Sequence, residues 1–270
     1  MYEDWPWAIG QFVWTGFDYL GEPTPYEDDG WPNHSSMFGI VDLASIPKDR
    51  YYLFRSVWNE DAHTLHILPH WNWSSGELVP VYVYTDSPSA ELFLNGKSLG
   101  IRTKLTPKKE TKGDRLENVE ARYRLRWDVP FEPGELMAVS LEASGQPVDT
   151  AYVRTAGAPA AVKLEYDGRR LKADGEDLAY VTVSIVDADG NLCPLADSPV
   201  SFDVTGPGSF RACANGDPTC LEPFQGPTMH AFNGKLTAIV QSSSTEAGKI
   251  FLHATSPGLQ DAELIIRTRF

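Results

Sequence analysis

From about residue 60 onward, apolar and polar positions alternate in short runs, the period of strands that lay one face on a core. The clearest run is VEARYRLRWDV, where Val119, Ala121, Tyr123, Leu125, Trp127 and Val129 alternate with Glu120, Arg122, Arg124, Arg126 and Asp128. It predicts a half-buried antiparallel strand. Comparable segments are HTLHIL, ELVPVYVYT, AELFLN, ELMAVSLEA, AAVKLEY, LAYVTVSIVDA, PVSFDV and DAELIIRTRF. Between them stand Asn95-Gly96, Asp167-Gly168, Asp189-Gly190 and Asn215-Gly216, pairs that suit tight hairpins because both residues tolerate positive φ. Many short strands with regular turn signals predict β-sandwiches. The small residues of YVRTAGAPAAV, Tyr152 to Val162, read as a linker between two of them.

Before residue 60 the pattern changes. GQFVWTGFDYLGEPTPY, Gly10 to Tyr26, is an apolar strand running into a loop rich in Trp, Tyr, Asp, Glu and Pro, the composition of a sugar site. SIPKDRYYLFRSVW predicts a helix, with Ser45 as candidate cap, Pro47 near the first turn, and Tyr51, Phe54, Val57 and Trp58 at helical spacing. One strand, one long loop and one helix form a β/α unit, and such a unit alone cannot bury both faces of its strand. The expected organisation is therefore an incomplete β/α unit over 1–58, a sandwich over 59–156 and a second sandwich over 157–270.

Charge and cysteine content narrow the function classes. A formal net charge of −14 argues against nucleic acid as a partner, since phosphate binding draws its affinity from Lys and Arg. The one basic-looking stretch, Arg102 to Arg115, is interrupted by Glu110 and Asp114 and reads as a solvated hairpin loop. No apolar run approaches a membrane span, and MYEDWPWAIG lacks the basic and apolar regions of an export signal. Cys193, Cys213 and Cys220 leave two alternatives: a Cys213–Cys220 disulfide across a loop, or three free thiols. No His stands near them at zinc-ligand spacing, and DADGN, Asp187 to Asn191, reads as a hairpin turn because the glutamate of a calcium loop is missing at its offset. No metal or cofactor is expected.

GQFVWTGFDYLGEPTPY followed by SSMFGIVDLASIPKDRYYLFRSVW resembles the eighth strand, eighth loop and last helix of the (β/α)8 barrel in glycoside hydrolase family 2, the β-galactosidase family. LHILPHWNW and AELFLNGKSLG resemble the immunoglobulin-like domain that follows that barrel, and residues from about 158 onward resemble its final sandwich. The resemblance implies two immunoglobulin-like β-sandwiches preceded by a truncated barrel remnant of one strand, loop and helix. It also implies a retaining exo-glycosidase as parent, acting on terminal β-linked sugars in the periplasm or outside the cell, with an upstream barrel domain as partner. In the family the acid/base and nucleophilic glutamates lie on earlier strands, so none is expected here and the 270-residue chain should be inactive.

By the same resemblance Trp14 matches the tryptophan whose ring floors the innermost sugar subsite at the carboxyl end of strand eight. Asp18 and Glu22 follow in the loop as candidate substrate-binding carboxylates, with a role in holding the loop as the competing reading. They cannot be a catalytic pair, because two carboxyls in one loop cannot straddle a sugar ring at the roughly 5–5.5 Å a retaining mechanism needs. Trp31 and His34 lie in the same loop. PHWNW, Pro69 to Trp73, is either a domain joint or a carbohydrate-binding face. A carbohydrate-binding or structural accessory module is the alternative to the glycosidase reading, and the unpaired remnant offers a surface for self-association.

Overall fold

The computed structural model describes residues 7, 9–23, 30–105 and 120–270, and most of its regular structure is strand. Close contacts divide the chain into two units. One takes Pro47–Thr155 with the chain up to Trp14, and the other takes Thr15–Ile46 with Ala156–Phe270. The stretch read as one β/α unit is thus shared between them.

The first unit is an antiparallel sandwich. Strands β1 (Leu65–Leu68), β2 (Leu78–Thr85) and β5 (Leu125–Pro130) form one sheet in the order β1-β2-β5. Strands β3 (Ser89–Leu94), β4 (Lys97–Thr103), β6 (Glu135–Leu141) and β7 (Pro147–Arg154) form the other in the order β4-β3-β6-β7. The alternation of β5 is real: Leu125, Trp127 and Val129 are buried while Arg126 and Asp128 face solvent. It begins later than the sequence suggests, because 121–123 form a turn in which the Tyr123 and Arg124 amides both donate to the Glu120 carbonyl. Val119 lies outside the described residues. Val79, Val81 and Val83 from β2 share the core with Ala90 and Leu92 of β3 and Leu136 and Ala138 of β6. Asn95 (φ +50°) and Gly96 (φ +77°) make the two-residue hairpin that sets the β3–β4 register, with Leu94 opposite Lys97.

The two PHWNW rings divide between core and surface. Trp71 is 0% exposed inside the first sandwich, edge-to-face with Phe131 at 5.1 Å, and its indole N–H donates to the Glu132 carbonyl at 2.9 Å. Trp73 is 36% exposed, stacked on His70 at 4.8 Å. Burial lowers the His70 pKa, which keeps that ring neutral beside the indole.

Helix α1 spans Asp49–Trp58, later than the sequence suggests. Its N-cap is Lys48, without a side-chain cap bond; Ser45 sits in a turn at φ +63°, and Pro47 precedes the helix. The face turned to β1 and β2 is polar and aromatic: Tyr52 stacks on His66 at 3.9 Å, and Asp49 accepts from His66 Nε2 at 2.7 Å. Tyr51, Val57 and Trp58 point away and are exposed. The strand expected at Gly10–Trp14 is not formed: 9–13 carry no ladder in the described residues, and Ile9 and Phe12 are fully exposed.

The second unit has nine strands: β8 (Ala161–Glu165), β9 (Leu171–Lys172), β10 (Leu178–Val186), β11 (Pro199–Thr205), β12 (Gly208–Ala214), β13 (Thr228–His230), β14 (Lys235–Ser242), β15 (Lys249–Thr255) and β16 (Ala262–Arg269). They form sheets β12-β14-β10-β8 and β13-β11-β15-β16-β9, with only the short β9–β16 pairing parallel. Between the sheets lie Val181, Val183, Leu236, Val240, Ile250, Leu252 and Ile266, all shielded from solvent. Asn215-Gly216 does not make a hairpin. Asn215 instead donates to the His230 carbonyl at 2.8 Å, and the tight turn into β14 is Asn233 (φ +52°) with Gly234 (φ +73°). All three cysteines are free, and burial pushes the Cys213 thiol up to about 12, so the disulfide alternative falls.

Two outcomes follow for the first unit. Trp71→Ala should cost about 3–5 kcal/mol in denaturant unfolding, whereas Trp73→Ala, at a ring already partly in solvent, should cost clearly less. The ends of β1 and β2 are joined by His63 Nδ1 to Asp86 Oδ2 at 2.8 Å and by the Thr64 amide to Asp86 Oδ1 at 2.7 Å. The Asp86 hydrogen bond raises the His63 pKa above 6.5. Burial would raise the Asp86 carboxyl, but the Thr64 amide and His63 outweigh it and hold it below 3.8. The His63 contribution is complete below its unfolded pKa and lost as pH rises through the raised value; that of Asp86 is complete above its unfolded pKa and lost on acidification. Stability from this pair should therefore plateau between those limits. NMR titration should show the His63 value falling toward normal in Asp86→Asn.

Candidate functional site

Segment 15–46 is built mostly from backbone hydrogen bonds and short polar side chains. Its two arms meet where the Asp18 amide donates to the Val41 carbonyl and the Val41 amide to the Gly16 carbonyl, each at 2.9 Å. They meet again where Ser36 N donates to Tyr19 O at 3.0 Å and Gly21 N to His34 O at 2.9 Å. Inside this frame Asp18 is buried: its Oδ1 accepts the Gly39 amide at 2.7 Å and the Ser36 hydroxyl at 3.3 Å. Gly39 must be glycine, since a Cβ there would lie 2.3 Å from the Asp18 nitrogen and 2.6 Å from the Phe17 carbonyl carbon.

The segment is fastened to the second sandwich at its far end. Asp42 Oδ1 accepts the amides of Ala44 and Ile46, both at 2.8 Å, and the turn this closes holds Ser45 at positive φ. The turn presents the Ala44 carbonyl to Thr237 Oγ1 on β14 at 2.7 Å, a buried bond. Gly216 leaves room for Asp42, whose Oδ2 would be 2.2 Å from a Cβ at that position. A further bond runs from the His34 amide to the Pro218 carbonyl at 3.1 Å. Sequence reasoning missed Asp42, Gly39, Gly216 and Thr237. Only Asp42 left a local signal, an aspartate two residues before the amide it binds; the others depend on chain brought in from far away.

Asp18 and Glu22 thus sit on one segment of the second unit, Asp18 buried in the loop and Glu22 partly exposed just after Gly21. Trp14 belongs to the first unit and exposes most of its ring. Trp31 is also exposed, with the His34 ring 6.2 Å away, and Tyr26 lies outside the described residues. Asp187 spends both oxygens on its own turn and on Gly157, accepting the Asp189, Asn191 and Gly157 amides at 2.8–3.0 Å. The DADGN segment is accordingly a turn. Among the described residues no His, Cys, Asp and Glu side chains cluster as metal ligands, and no helix is long and apolar enough to cross a membrane.

Two antiparallel β-sandwiches, the second gripping an N-terminal segment by hydrogen bonds, define a mostly β protein of two units. Residues 162–265 match the model of glycoside hydrolase family 2 C-terminal domain 5, and residues 76–149 match a domain of unknown function, DUF4982. The chain belongs to glycoside hydrolase family 2 and carries its C-terminal domains. It is 45% identical to the β-galactosidase BoGH2A of Bacteroides ovatus over 258 residues, 95% of this chain and 28% of that protein. It is 28% identical to a β-glucuronidase of Formosa agariphila over 234 residues, 85% of this chain and 22% of that protein. Among solved structures, a β-glycosidase from Bacteroides vulgatus superposes with a TM-score of 0.83 at 35% identity, covering 97% of this chain and 31% of that one. The chain spans less than a third of the length of each.

The geometry makes Asp18 a residue that holds the segment together. Asp18→Ala would strand the buried Gly39 amide and the Ser36 hydroxyl, at a cost of about 1–3 kcal/mol. Amide exchange across 15–46 should accelerate while the sandwich strands keep their protection; unchanged exchange would remove that role.

Proposed function

We propose that this chain is the C-terminal part of a retaining exo-glycosidase that hydrolyses terminal β-linked sugars, with a β-galactoside as the favoured substrate. The carrying observation is the 45% identity to a β-galactosidase over nearly the whole chain, set against coverage of only 28% of that enzyme. The remaining length has room for a catalytic domain, and the resemblance of residues 10–58 to the end of a (β/α)8 barrel names it. Physical support comes from the same region. Ile9, Phe12, Trp14, Val57 and Trp58 are exposed apolar side chains, which suits a region covered by a further domain.

In this reading Trp14 is the ring that floors the innermost sugar subsite, Glu22 is a candidate acceptor for sugar hydroxyls, and Asp18 acts through the loop it holds. The two catalytic glutamates belong to the upstream barrel, one protonating the leaving oxygen and the other attacking the anomeric carbon. The parent works in the periplasm or outside the cell. Uncovered, the remnant would promote self-association of the 270-residue chain.

The test is hydrolysis of aryl β-galactosides and aryl β-glucuronides. The 270-residue chain should show no turnover above the uncatalysed rate, and a longer chain that supplies the upstream domain should cleave the galactoside. Turnover by the 270-residue chain that disappears in Glu22→Gln would overturn the proposal, and preference of the longer chain for the glucuronide would overturn its substrate.

A further inference from the structure

The second sandwich carries a groove outside segment 15–46 that neither the family match nor the proposed glycosidase chemistry uses. It is open, of about 360 Å³, and is lined by Glu165, Tyr166, Asp167, Arg169, Tyr180 and Thr182. That volume lies at the lower end of small-ligand sites. Thr182 and Glu165 are cross-strand partners in β10 and β8, so their side chains stand together on one face of the sheet. Tyr180, two residues along β10, joins them on that face and is 53% exposed. Tyr166 borders the groove while packing partly against the core, and its hydroxyl donates to the Arg169 carbonyl at 2.9 Å, which fixes the chain that closes the groove.

We propose that this groove binds a neutral pyranose unit of an oligosaccharide, at a site separate from the one that is hydrolysed. The ring of Tyr180 is a platform for the C–H face of a sugar, and its fixed setting in a central strand costs little entropy on binding. Around it stand a hydroxyl from Thr182 and the carboxylates of Glu165 and Asp167; Glu165 pairs with Lys163 at 2.9 Å and Asp167 accepts the Arg169 amide at 3.0 Å, and the lone pairs left over on these oxygens are the acceptors that sugar hydroxyl donors require. The charge pattern selects against acidic sugars. Arg169 would be the natural partner of a uronate, but both Asp177 oxygens hold its guanidinium at 3.1–3.2 Å, and it also donates to the Leu178 carbonyl. Lys163 is paired with Glu165 at 2.9 Å. What the groove offers an incoming ligand is acceptor oxygen and an aromatic face. That suits polyols without charge.

The experiment titrates the 270-residue chain with galactotriose and cellotriose, with trigalacturonic acid as the charged comparison, and follows backbone amide shifts. The expected result is saturable binding of at least one neutral trisaccharide, with shifts centred on 165–169 and 178–182, and weaker or absent binding of the acid. Tyr180→Ala should weaken binding about tenfold and Tyr180→Phe should retain it, because the ring and not the hydroxyl supplies the platform. The tyrosine is exposed, so an unchanged melting curve checks that the variant folds; shift mapping on the unsubstituted chain reports independently if it does not. No binding of either neutral sugar, binding mapped elsewhere, or preference for the acid would overturn the proposal. None of these outcomes bears on the glycosidase reading, which is decided by hydrolysis.

Discussion

The arrangement of the N-terminal part depends on one buried contact, the Thr237 hydroxyl donating to the Ala44 carbonyl. A backbone carbonyl can be offered to a sheet face only if the turn bearing it is rigid, and Asp42 supplies that rigidity by collecting two amides of its own turn. Room for the aspartate comes from Gly216, in a loop 174 residues further along the sequence. A segment rich in Gly, Pro and aromatic residues, with almost no regular structure, thereby acquires a defined path on a sandwich. Its own hydrogen bonds around Asp18 and Gly39 hold the path together from within.

Helix α1 follows the opposite logic. Its contact with the first sandwich includes Tyr52 stacking on His66 and Asp49 accepting from the same imidazole, while Tyr51, Val57 and Trp58 face outward and Leu53 and Phe54 are half-buried. An isolated ten-residue helix is marginal in water, and a helix of this length usually owes its persistence to burial of its apolar stripe. Here the inward side carries the polar anchors and leaves Tyr51, Val57 and Trp58 exposed.

Period-two alternation made the sandwiches legible because each strand has one face on a core, and that constraint is local. Leu125, Trp127 and Val129 could be assigned to a buried face from sequence alone, and Asn95-Gly96 to a hairpin, for the same reason. Start points and sidedness were less legible. The alternation in VEARYRLRWDV continues upstream of β5 although a turn at 121–123 uses the backbone, and periodicity does not register where backbone partners run out. Asn215-Gly216 carries a hairpin signature but spends it on His230 and on space for Asp42, while Asn233-Gly234, with the same signature, makes the turn. Tryptophan composition around residues 69–73 does not reveal that one ring is core and the next lies at the surface.

The acidic composition makes sense in the same structural terms. Asp18, Asp42, Asp174, Asp177 and Asp187 each accept one or more backbone amides, so part of the negative charge is invested in turns and loop closures. A carboxylate that accepts several amides stabilises its anion and cannot readily serve as a proton donor; the lowered pKa values of Asp174, Asp177 and Asp187 follow from those bonds, for Asp177 and Asp187 against the opposing effect of burial. Glycoside cleavage asks for the reverse, one carboxyl kept protonated and a second facing it across the bond. The aspartates placed in these turns are committed to shaping the sandwiches and their attached segment.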